Sequence, residues 1–277
     1  MAGLGFWPFR KKPPLHVAID EGKGQPVLLL HGIASSSVTY DNVVSDLVDR
    51  HRVVALDLMG FGHSSAPPSS GFSLDEHVDA VVTSIDRIGL KTPFTLVGHS
   101  LGSLISIRLA ARHPKYVKHL VIVSPPVYVP SDTLVDPLDR AQMDIYQRLY
   151  NFMRDNPRFT RAAAAALERI SPIRGLVDVS EDNWRAFSLS LERCIESQTT
   201  ITDLAQVKCP IDLIYGTLDP FLAPAGLRVI ERMRGVATTR IDGVDHVIRP
   251  KMAIELVRLI DNPSPPTAPI RLVGEGR

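Results

Sequence analysis

The sequence predicts an α/β fold with a mostly parallel, doubly wound sheet and one helical insertion. Five short runs rich in Val, Ile and Leu lack polar alternation, which is typical of parallel strands covered on both faces. Segments with apolar residues at helical spacing lie between these runs. A long interval, residues 127–205, has helical patterns and no clear strand. Strands that alternate with helices imply right-handed crossovers within one sheet.

The predicted elements follow one another in a simple order. The five strong strands occupy residues 26–32, 52–60, 94–100, 119–126 and 211–220. A weaker strand is predicted at 15–20, and 238–243 is predicted to be an edge strand. Helices are predicted at 74–89, 101–113 and 249–261, and His113-Pro114 marks the end of the second.

This order predicts a core, a lid and two tails. The core comprises residues 15–126 and 206–262, and the helical lid comprises 127–205, which is too long for an unstructured loop. Residues 1–14 are predicted to be an N-terminal tail. Residues 263–277 carry four prolines without a helical or strand period, which predicts a poorly ordered C-terminal tail.

Composition excludes several classes of function. With a net charge of +1, the chain gives no reason to expect nucleic acid as a partner. It has no run of 18 apolar residues that would predict a transmembrane segment. The N-terminus lacks the apolar region of a secretory signal. Cys194 and Cys209 suggest neither a metal cluster nor a disulfide framework, so we expect reduced thiols and a cytoplasmic protein. The oligomeric state is not predictable.

The stretch Gly98-His99-Ser100-Leu101-Gly102 carries the strongest chemical signal. It fits G-x-S-x-G between a predicted strand and a predicted helix, the context that identifies a nucleophile elbow. A sharp turn there strains the backbone at Ser100, and glycines two residues away on either side remove clashing Cβ atoms. Ser100 as a helix N-cap is the simpler alternative. A serine hydroxyl is a weak nucleophile without a base.

Two downstream residues are the best candidates for the base and its partner. His246 lies between the last predicted strand and the last helix, where a loop returns to the edge of the sheet that holds Ser100. Asp219 follows the strand at 211–220 and could fix the tautomer of His246. A helix cap is the alternative role for Asp219. His99 faces the wrong way to act as base. The remaining histidines outside the oxyanion loop are expected to be structural: His16, His51, His63, His77, His113 and His119.

The order Ser100, Asp219, His246 resembles that of α/β-hydrolases. The sequence is similar to the lid-bearing branch of that superfamily, which contains esterases, lipases, C–C bond hydrolases and epoxide hydrolases, over roughly residues 15 to 262. The similarity rests on "LLLHGIASSS", "DLMGFGHS", "VGHSLG", "YGTLDPF" and "GVDH". The resemblance implies that His31-Gly32 begins the oxyanion loop. The backbone N–H groups of Ile33 and Leu101 would then form the oxyanion hole.

Some details depart from close relatives and narrow the function. Ser103 replaces a second glycine after the elbow, and "HGIASSS" lacks the Ser-Gly-Pro-rich run of bacterial C–C hydrolases. Ser100 argues against epoxide hydrolases and dehalogenases, which use Asp as nucleophile. Within "DLMGFGHS", Asp57, Gly60 and Gly62 are expected to be structural.

The sequence therefore predicts a serine hydrolase for small to medium apolar esters, with no metal and no organic cofactor. Aromatic and aliphatic lid residues predict an apolar pocket for the substrate. They are Tyr146, Leu149, Tyr150, Phe152, Met153, Phe159, Trp184, Phe187, Leu191 and the run 162–166. A C–C bond or lactone hydrolase, or a cofactor-free perhydrolase, could use the same triad. A ligand receptor on a hydrolase fold, with little turnover, is a further alternative.

Overall fold

The computed structural model describes residues 13–170, 173–265 and 271–273. Most of the predicted N-terminal tail, residues 1–12, lies outside the described residues. So does the larger part of the predicted C-terminal tail, residues 266–270 and 274–277.

An eight-stranded sheet forms the centre of the molecule and confirms the predicted α/β fold. Its strands run in the order β1-β3-β2-β4-β5-β6-β7-β8, with β1 antiparallel to β3 and all other pairs parallel. The strands are β1 (Val17–Glu21), β2 (Gln25–Leu30), β3 (His51–Leu56), β4 (Phe94–His99), β5 (Val117–Val123), β6 (Ile211–Gly216), β7 (Val236–Ile241) and β8 (Arg271–Val273).

The far edge of the sheet differs from the prediction. The strand predicted to lie at the edge, now β7, is covered by β8, which pairs with it in parallel from Thr239↔Arg271 to Ile241↔Val273. These three residues belong to the segment predicted to lack a strand. Three residues are too short to show a period, and their pairing with β7 is non-local, so the local pattern carries no sign of the strand.

Nine α-helices are present in the described ranges. They are α1 (Asp41–Leu47), α2 (Leu74–Ile88), α3 (Leu101–Arg112), α4 (Pro137–Asp155), α5 (Pro157–Ile170), α6 (Trp184–Ser190), α7 (Thr200–Leu204), α8 (Pro224–Glu231) and α9 (Pro250–Asp261). A π-helical segment, Leu191–Glu196, continues directly from α6. The start of α2 shows how the sequence sets a boundary, because Ser73 and Glu76 form a reciprocal capping box there.

The two faces of the sheet pack into separate apolar cores. Alternate residues of β2 point to opposite faces, so Leu28 and Leu30 join one core while Val27 and Leu29 join the other. The first core includes residues of α2, of α3, of α8 and of the segment between β5 and β6. The second core includes residues of α1 and α9. Helices on both faces explain why the strands read as continuous apolar runs.

The segment between β5 and β6, called the insertion from here on, holds α4 to α7 and the π-helical segment. Because β5 and β6 are adjacent, this interval leaves and re-enters the sheet at neighbouring strands. The division of the chain into a core and a lid stays a prediction, as does the cytoplasmic location. Within the described ranges, no helix is both long and apolar enough to cross a membrane.

Arg108 of α3 joins α2 to α7, the last helix of the insertion, through ion pairs. The side chain is 7% exposed. Its Nε donates to Asp203 Oδ2 at 2.7 Å and its Nη1 donates to Asp75 Oδ1 at 2.6 Å. The same guanidinium also contacts the hydroxyl of Thr199. Arg112, one helical turn later, reaches Asp75 at 2.7 Å but has a side chain that is half exposed.

We expect Arg108→Met to lower the free energy of unfolding by about 3–5 kcal/mol, because it leaves the buried carboxylate of Asp203 without its cation. Arg112→Met removes an exposed ion pair and should cost less than about 1 kcal/mol. Urea unfolding of both variants measures the two values. Equal losses in the two variants would show that Arg108 acts as an ordinary surface charge.

Candidate active site

Three predicted site residues lie at the carboxyl edge of the parallel sheet. Ser100 follows β4 directly, Asp219 lies three residues beyond the end of β6, and His246 lies between β7 and α9. Parallel strands end at the same edge, so residues far apart in sequence come together there. Asp219 and His246 are in direct contact. Among the described residues, no hydrogen bond links the Ser100 hydroxyl to His246 in this structure.

Ser100 occupies a strained turn between β4 and α3. Its backbone has φ 53° and ψ −120°, a region that costs a non-glycine residue about 1–3 kcal/mol. Its N–H donates to the carbonyl of Val123 on β5 at 2.9 Å, which anchors the turn to the sheet. The alternative role as a helix cap is not seen, because the side chain makes no capping hydrogen bond.

The glycines on either side of Ser100 lie against other backbone. A Cβ on Gly98 would come within 2.3 Å of the carbonyl oxygen of Gly102. A Cβ on Gly102 would come within 2.1 Å of the carbonyl oxygen of Leu30 on β2. Both positions therefore require glycine for reasons of space, as the sequence predicts. Ser103 tightens the same turn, because its hydroxyl lies 2.7 Å from the carbonyl oxygen of Gly98.

Asp219 holds the ring of His246 in one orientation. The imidazole Nδ1 lies 2.7 Å from Asp219 Oδ2, and the Asp219 side chain is fully buried. The second carboxylate oxygen accepts the N–H of Phe221 at 2.9 Å. The ring of Phe221 packs edge-on against His246, with 4.9 Å between centroids. With its Nδ1–H directed at the carboxylate, His246 keeps Nε2 free to accept a proton.

His99 supports the loop that carries His246. Its Nε2 lies 2.9 Å from the carbonyl oxygen of His246, and the two rings are 4.7 Å apart. The His99 ring therefore donates its proton to a backbone carbonyl, which agrees with the prediction that it is not the base. Burial, followed by the proximity of His246, lowers the pKa of His99 to about 3. The supporting role has no sequence signal, because it depends on a contact across 147 residues.

The predicted oxyanion loop lies beside the turn at Ser100. His31 is fully buried, its Nδ1 donates to the carbonyl of Gly32 at 2.7 Å, and its Nε2 accepts the N–H of Leu58 at 2.8 Å. Burial lowers the pKa of His31 to about 4, so the ring stays neutral. A Cβ on Gly32 would lie 3.0 Å from that of Ser100. These contacts fix the start of the loop close to the serine.

The backbone N–H groups of Ile33 and Leu101 are both available as donors. Leu101 is the first residue of α3, so no carbonyl of the helix can reach its N–H. Among the described residues, the N–H of Ile33 has no backbone acceptor outside regular elements. The carbonyl of Ala34, next in the loop, accepts the N–H of Asp178 at 2.7 Å. This hydrogen bond joins the insertion to the predicted oxyanion loop, which follows β2.

Two tyrosines of the insertion contact the segment after Asp219, and a third contacts one of them. The Tyr128 hydroxyl lies 3.1 Å from the carbonyl oxygen of Phe221 and 2.7 Å from the hydroxyl of Tyr150. The Tyr146 hydroxyl donates to the carbonyl of Leu222 at 2.9 Å. Burial raises the pKa of Tyr128, so its hydroxyl stays protonated and can donate. The sequence predicts Tyr146 and Tyr150 to line an apolar pocket and gives no sign of these hydrogen bonds.

The aromatic and aliphatic residues predicted to line a pocket differ widely in exposure. Tyr150, Phe187 and Leu191 are buried in the core. Phe152 and Phe159 pack edge to face at 5.3 Å but are 47% and 60% exposed. Within the described residues, this set therefore does not form one apolar pocket.

A cavity of about 580 Å³ lies between the turn after β3 and the insertion. Its lining residues are mostly polar or small, and none of the triad residues is among them. They are Gly60, Phe61, Gly62, His63, Ser64, Ser65, Ala66, Phe72, Asp178, Ser180, Asp182, Asn183, Arg185 and Ala186. The cavity lies at the same carboxyl edge of the sheet as Ser100, beyond the end of β3, but Ser100, Asp219 and His246 do not line it.

Comparisons with known proteins agree with the observed fold. The sequence profile described as alpha/beta hydrolase fold matches residues 25–248. The chain is 38% identical over 122 residues to a cis-3-alkyl-4-alkyloxetan-2-one decarboxylase of Shewanella oneidensis, covering 43% of this chain and 38% of that protein. It is 32% identical over 145 residues to a probable lysophospholipase, BODYGUARD 4, of Arabidopsis thaliana, covering 48% of this chain and 34% of that protein.

A solved structure shows the same fold over most of the chain. It is the enol-lactonase of Burkholderia xenovorans LB400, with a TM-score of 0.66 and 18% sequence identity, and the match covers 90% of this chain and 95% of that one. By contrast, the chain spans little more than a third of the length of the two curated relatives.

The low pKa of His99 predicts an acid-dependent loss of stability. An unfolded histidine binds a proton near pH 6.5, whereas folded His99 binds one only near pH 3. Between these values the unfolded state holds the extra proton, so the free energy of unfolding falls by about 1.4 kcal/mol per pH unit on acidification. His99→Gln removes this contribution.

We therefore expect the stability advantage of the native protein over His99→Gln to shrink by about 2 kcal/mol between pH 6.5 and 4.5. Above pH 7.5 the difference should stay constant, which serves as the internal control. Urea unfolding at a series of pH values measures it. A difference that does not change with pH would mean that folded His99 titrates like an unfolded histidine.

Proposed function

The chain belongs to the α/β-hydrolase fold family, and from this premise we propose that it is a serine hydrolase of small to medium apolar carboxylic esters. One observation carries the proposal. Ser100 stands on a strained turn at the carboxyl edge of the sheet, where His246 is bonded to the buried carboxylate of Asp219 at 2.7 Å. We place the protein in the lid-bearing, esterase- and lipase-like branch of the family.

In the proposed mechanism, the Ser100 hydroxyl attacks the ester carbonyl while His246 Nε2 takes its proton. Asp219 holds the His246 tautomer and stabilises the imidazolium that forms. The N–H groups of Ile33 and Leu101 stabilise the negative charge on the carbonyl oxygen. His246 returns the proton to the leaving alcohol, and an acyl group remains on Ser100. Water, deprotonated by His246, then releases the acid and restores the serine. No step requires a metal or an organic cofactor.

The lysophospholipase relative supports an ester as the substrate. The probable lysophospholipase relative carries a name that denotes hydrolysis of a lipid ester. The exposed rings of Phe152 and Phe159 on α4 and α5 offer apolar surface to such a substrate. The tyrosine contacts to Phe221 and Leu222 would couple the position of α4 to the segment that carries Asp219.

A lactone is the second candidate substrate. An oxetan-2-one is a four-membered lactone, and the solved structure with this fold is an enol-lactonase. A lactone presents the same carbonyl to Ser100, and ring opening leaves the alcohol attached to the acyl group. C–C bond hydrolysis, perhydrolysis and ligand reception without turnover remain alternatives that the same residues could support, but no contact described above favours them.

We expect a fluorophosphonate probe to label the native protein and to leave Ser100→Ala unlabelled. The substitution should lower kcat/KM for an ester by about 10⁴- to 10⁶-fold. Ser131→Ala, in a short helical turn of the insertion with no buried residue, is the matched control and should label normally. Peptide mapping by mass spectrometry locates the label. Failure of the native protein to label would remove Ser100 as the nucleophile.

A substrate panel separates the candidate reactions. p-Nitrophenyl esters from acetate to decanoate, a small aliphatic lactone and a vinylogous diketone are compared by kcat/KM. We expect the esters to be turned over, with the highest value at an intermediate chain length. If the diketone or the lactone is cleaved while every ester is inert, the ester assignment is wrong even though the triad is intact.

A further inference from the structure

We propose that His16, Asp57 and His63 form a binding site for a first-row divalent cation such as Zn²⁺. The one carboxylate and the two imidazoles lie together beside the turn after β3, on one side of the cavity of about 580 Å³. Neither the proposed ester chemistry nor the family assignment uses this site. The sequence suggested only structural roles for all three residues.

The spacing of the candidate ligand atoms suits a tetrahedral ion. His16 Nδ1 lies 3.1 Å from Asp57 Oδ2, and His63 Nδ1 lies 3.6 Å from the same oxygen. All the candidate ligand atoms lie within 4.8 Å of one another. Zinc bonds of about 2.0–2.1 Å place neighbouring ligands of a tetrahedron about 3.3–3.4 Å apart. The two measured distances bracket that value, so small rotations of the exposed rings would be enough to bind the ion.

The backbone around the three ligands is fixed before any ion arrives. The N–H of His16 donates to the Ser64 hydroxyl at 2.8 Å, and that hydroxyl donates to the carbonyl of Asp57 at 2.6 Å. The N–H of Asp57 in turn donates to the carbonyl of His16 at 3.1 Å. These three bonds close a ring that joins the segments carrying the ligands. A cation would therefore pay little conformational entropy to bind them.

Asp57 presents one carboxylate oxygen to the two histidines. Its Oδ1 accepts the N–H of Ser37 at 3.0 Å, and its Oδ2 accepts the N–H of His63 at 2.9 Å. The Asp57 side chain is almost fully buried. Hydrogen bonds of this kind orient a carboxylate that binds a metal.

Binding of the ion changes where His16 carries its proton. Without an ion, His16 Nδ1 is within hydrogen-bond distance of Asp57 Oδ2. The ion binds the Nδ1 lone pair of the neutral ring, whose single proton is then carried on Nε2, and water relays that proton from Nδ1 to Nε2. Imidazole and carboxylate ligands together suit Zn²⁺ better than Mg²⁺, which prefers oxygen ligands alone.

The site is open to solvent on one side. The side chains of His16 and His63 are 42% and 83% exposed, and His63 lines the cavity together with Asp178 and Asp182. Three protein ligands leave the fourth position of a tetrahedral ion to a water molecule. Bound metal would tie the segment before β1 to the turn after β3, so it would stabilise the folded state.

The test titrates the untagged protein with Zn²⁺ by isothermal calorimetry and follows the unfolding temperature in the same series. We expect one site per chain and an unfolding temperature that rises with Zn²⁺, is restored by a chelator and does not respond to Mg²⁺. His63→Ala and His16→Ala should each weaken Zn²⁺ binding at least about tenfold, the smallest effect expected for loss of a ligand. His113→Ala, a partly exposed histidine outside the cluster, is the matched control and should bind Zn²⁺ like the native protein.

Two results would overturn the proposal. One is a native protein whose unfolding temperature and calorimetric trace do not respond to Zn²⁺, in which case the cluster is a hydrogen-bond network only. The other is unchanged binding in the His16→Ala, His63→Ala double variant. Because both histidine side chains are substantially exposed, these variants should fold, and circular dichroism verifies that they do.

Discussion

The strained turn at Ser100 is the constraint on which the rest of the structure depends. A serine at φ 53° persists only if its surroundings over-determine that conformation. Three contacts do so: the Ser100 N–H bonds to Val123, Gly98 lies against Gly102, and the Ser103 hydroxyl bonds back to Gly98. The turn can exist only because β2 and β5 flank β4 with their carboxyl ends level with it. The parallel sheet thus supplies the rigid edge on which the site is built.

The proposed base, His246, is held by contacts from residues outside the proposed triad. The His99 ring donates a hydrogen bond to the backbone carbonyl of His246. The ring of Phe221 packs on the His246 ring, and the backbone N–H of Phe221 donates to Asp219. Tyr128 then bonds the carbonyl of Phe221 from the insertion. Each group is buried or half-buried, so each hydrogen bond is worth more than it would be in water. Through these contacts, a movement of the insertion can shift Asp219 and His246 without a contact to Ser100.

The sequence predicted those parts of the molecule that leave a local pattern. The apolar strands and the glycines on either side of Ser100 are of this kind, and the predicted fold is confirmed. The assignment of Ser100, Asp219 and His246 as a catalytic triad stays a prediction. Contacts between distant segments leave no such pattern. The ring contact of His99 with His246, the tyrosine bonds near Asp219 and the gathering of His16 and His63 at Asp57 all belong to that class. The strand β8 was missed for the same reason, because within the described residues it pairs with the distant strand β7 alone.

The central claim is that Ser100 forms a covalent acyl intermediate. The most direct measurement is an acid quench during turnover of a p-nitrophenyl ester, followed by peptide mass spectrometry. We expect an added acyl mass on the peptide that contains Ser100, present during turnover and gone after the ester is exhausted. Turnover of the ester with no acyl group on Ser100, or with the acyl group on another residue, would contradict it.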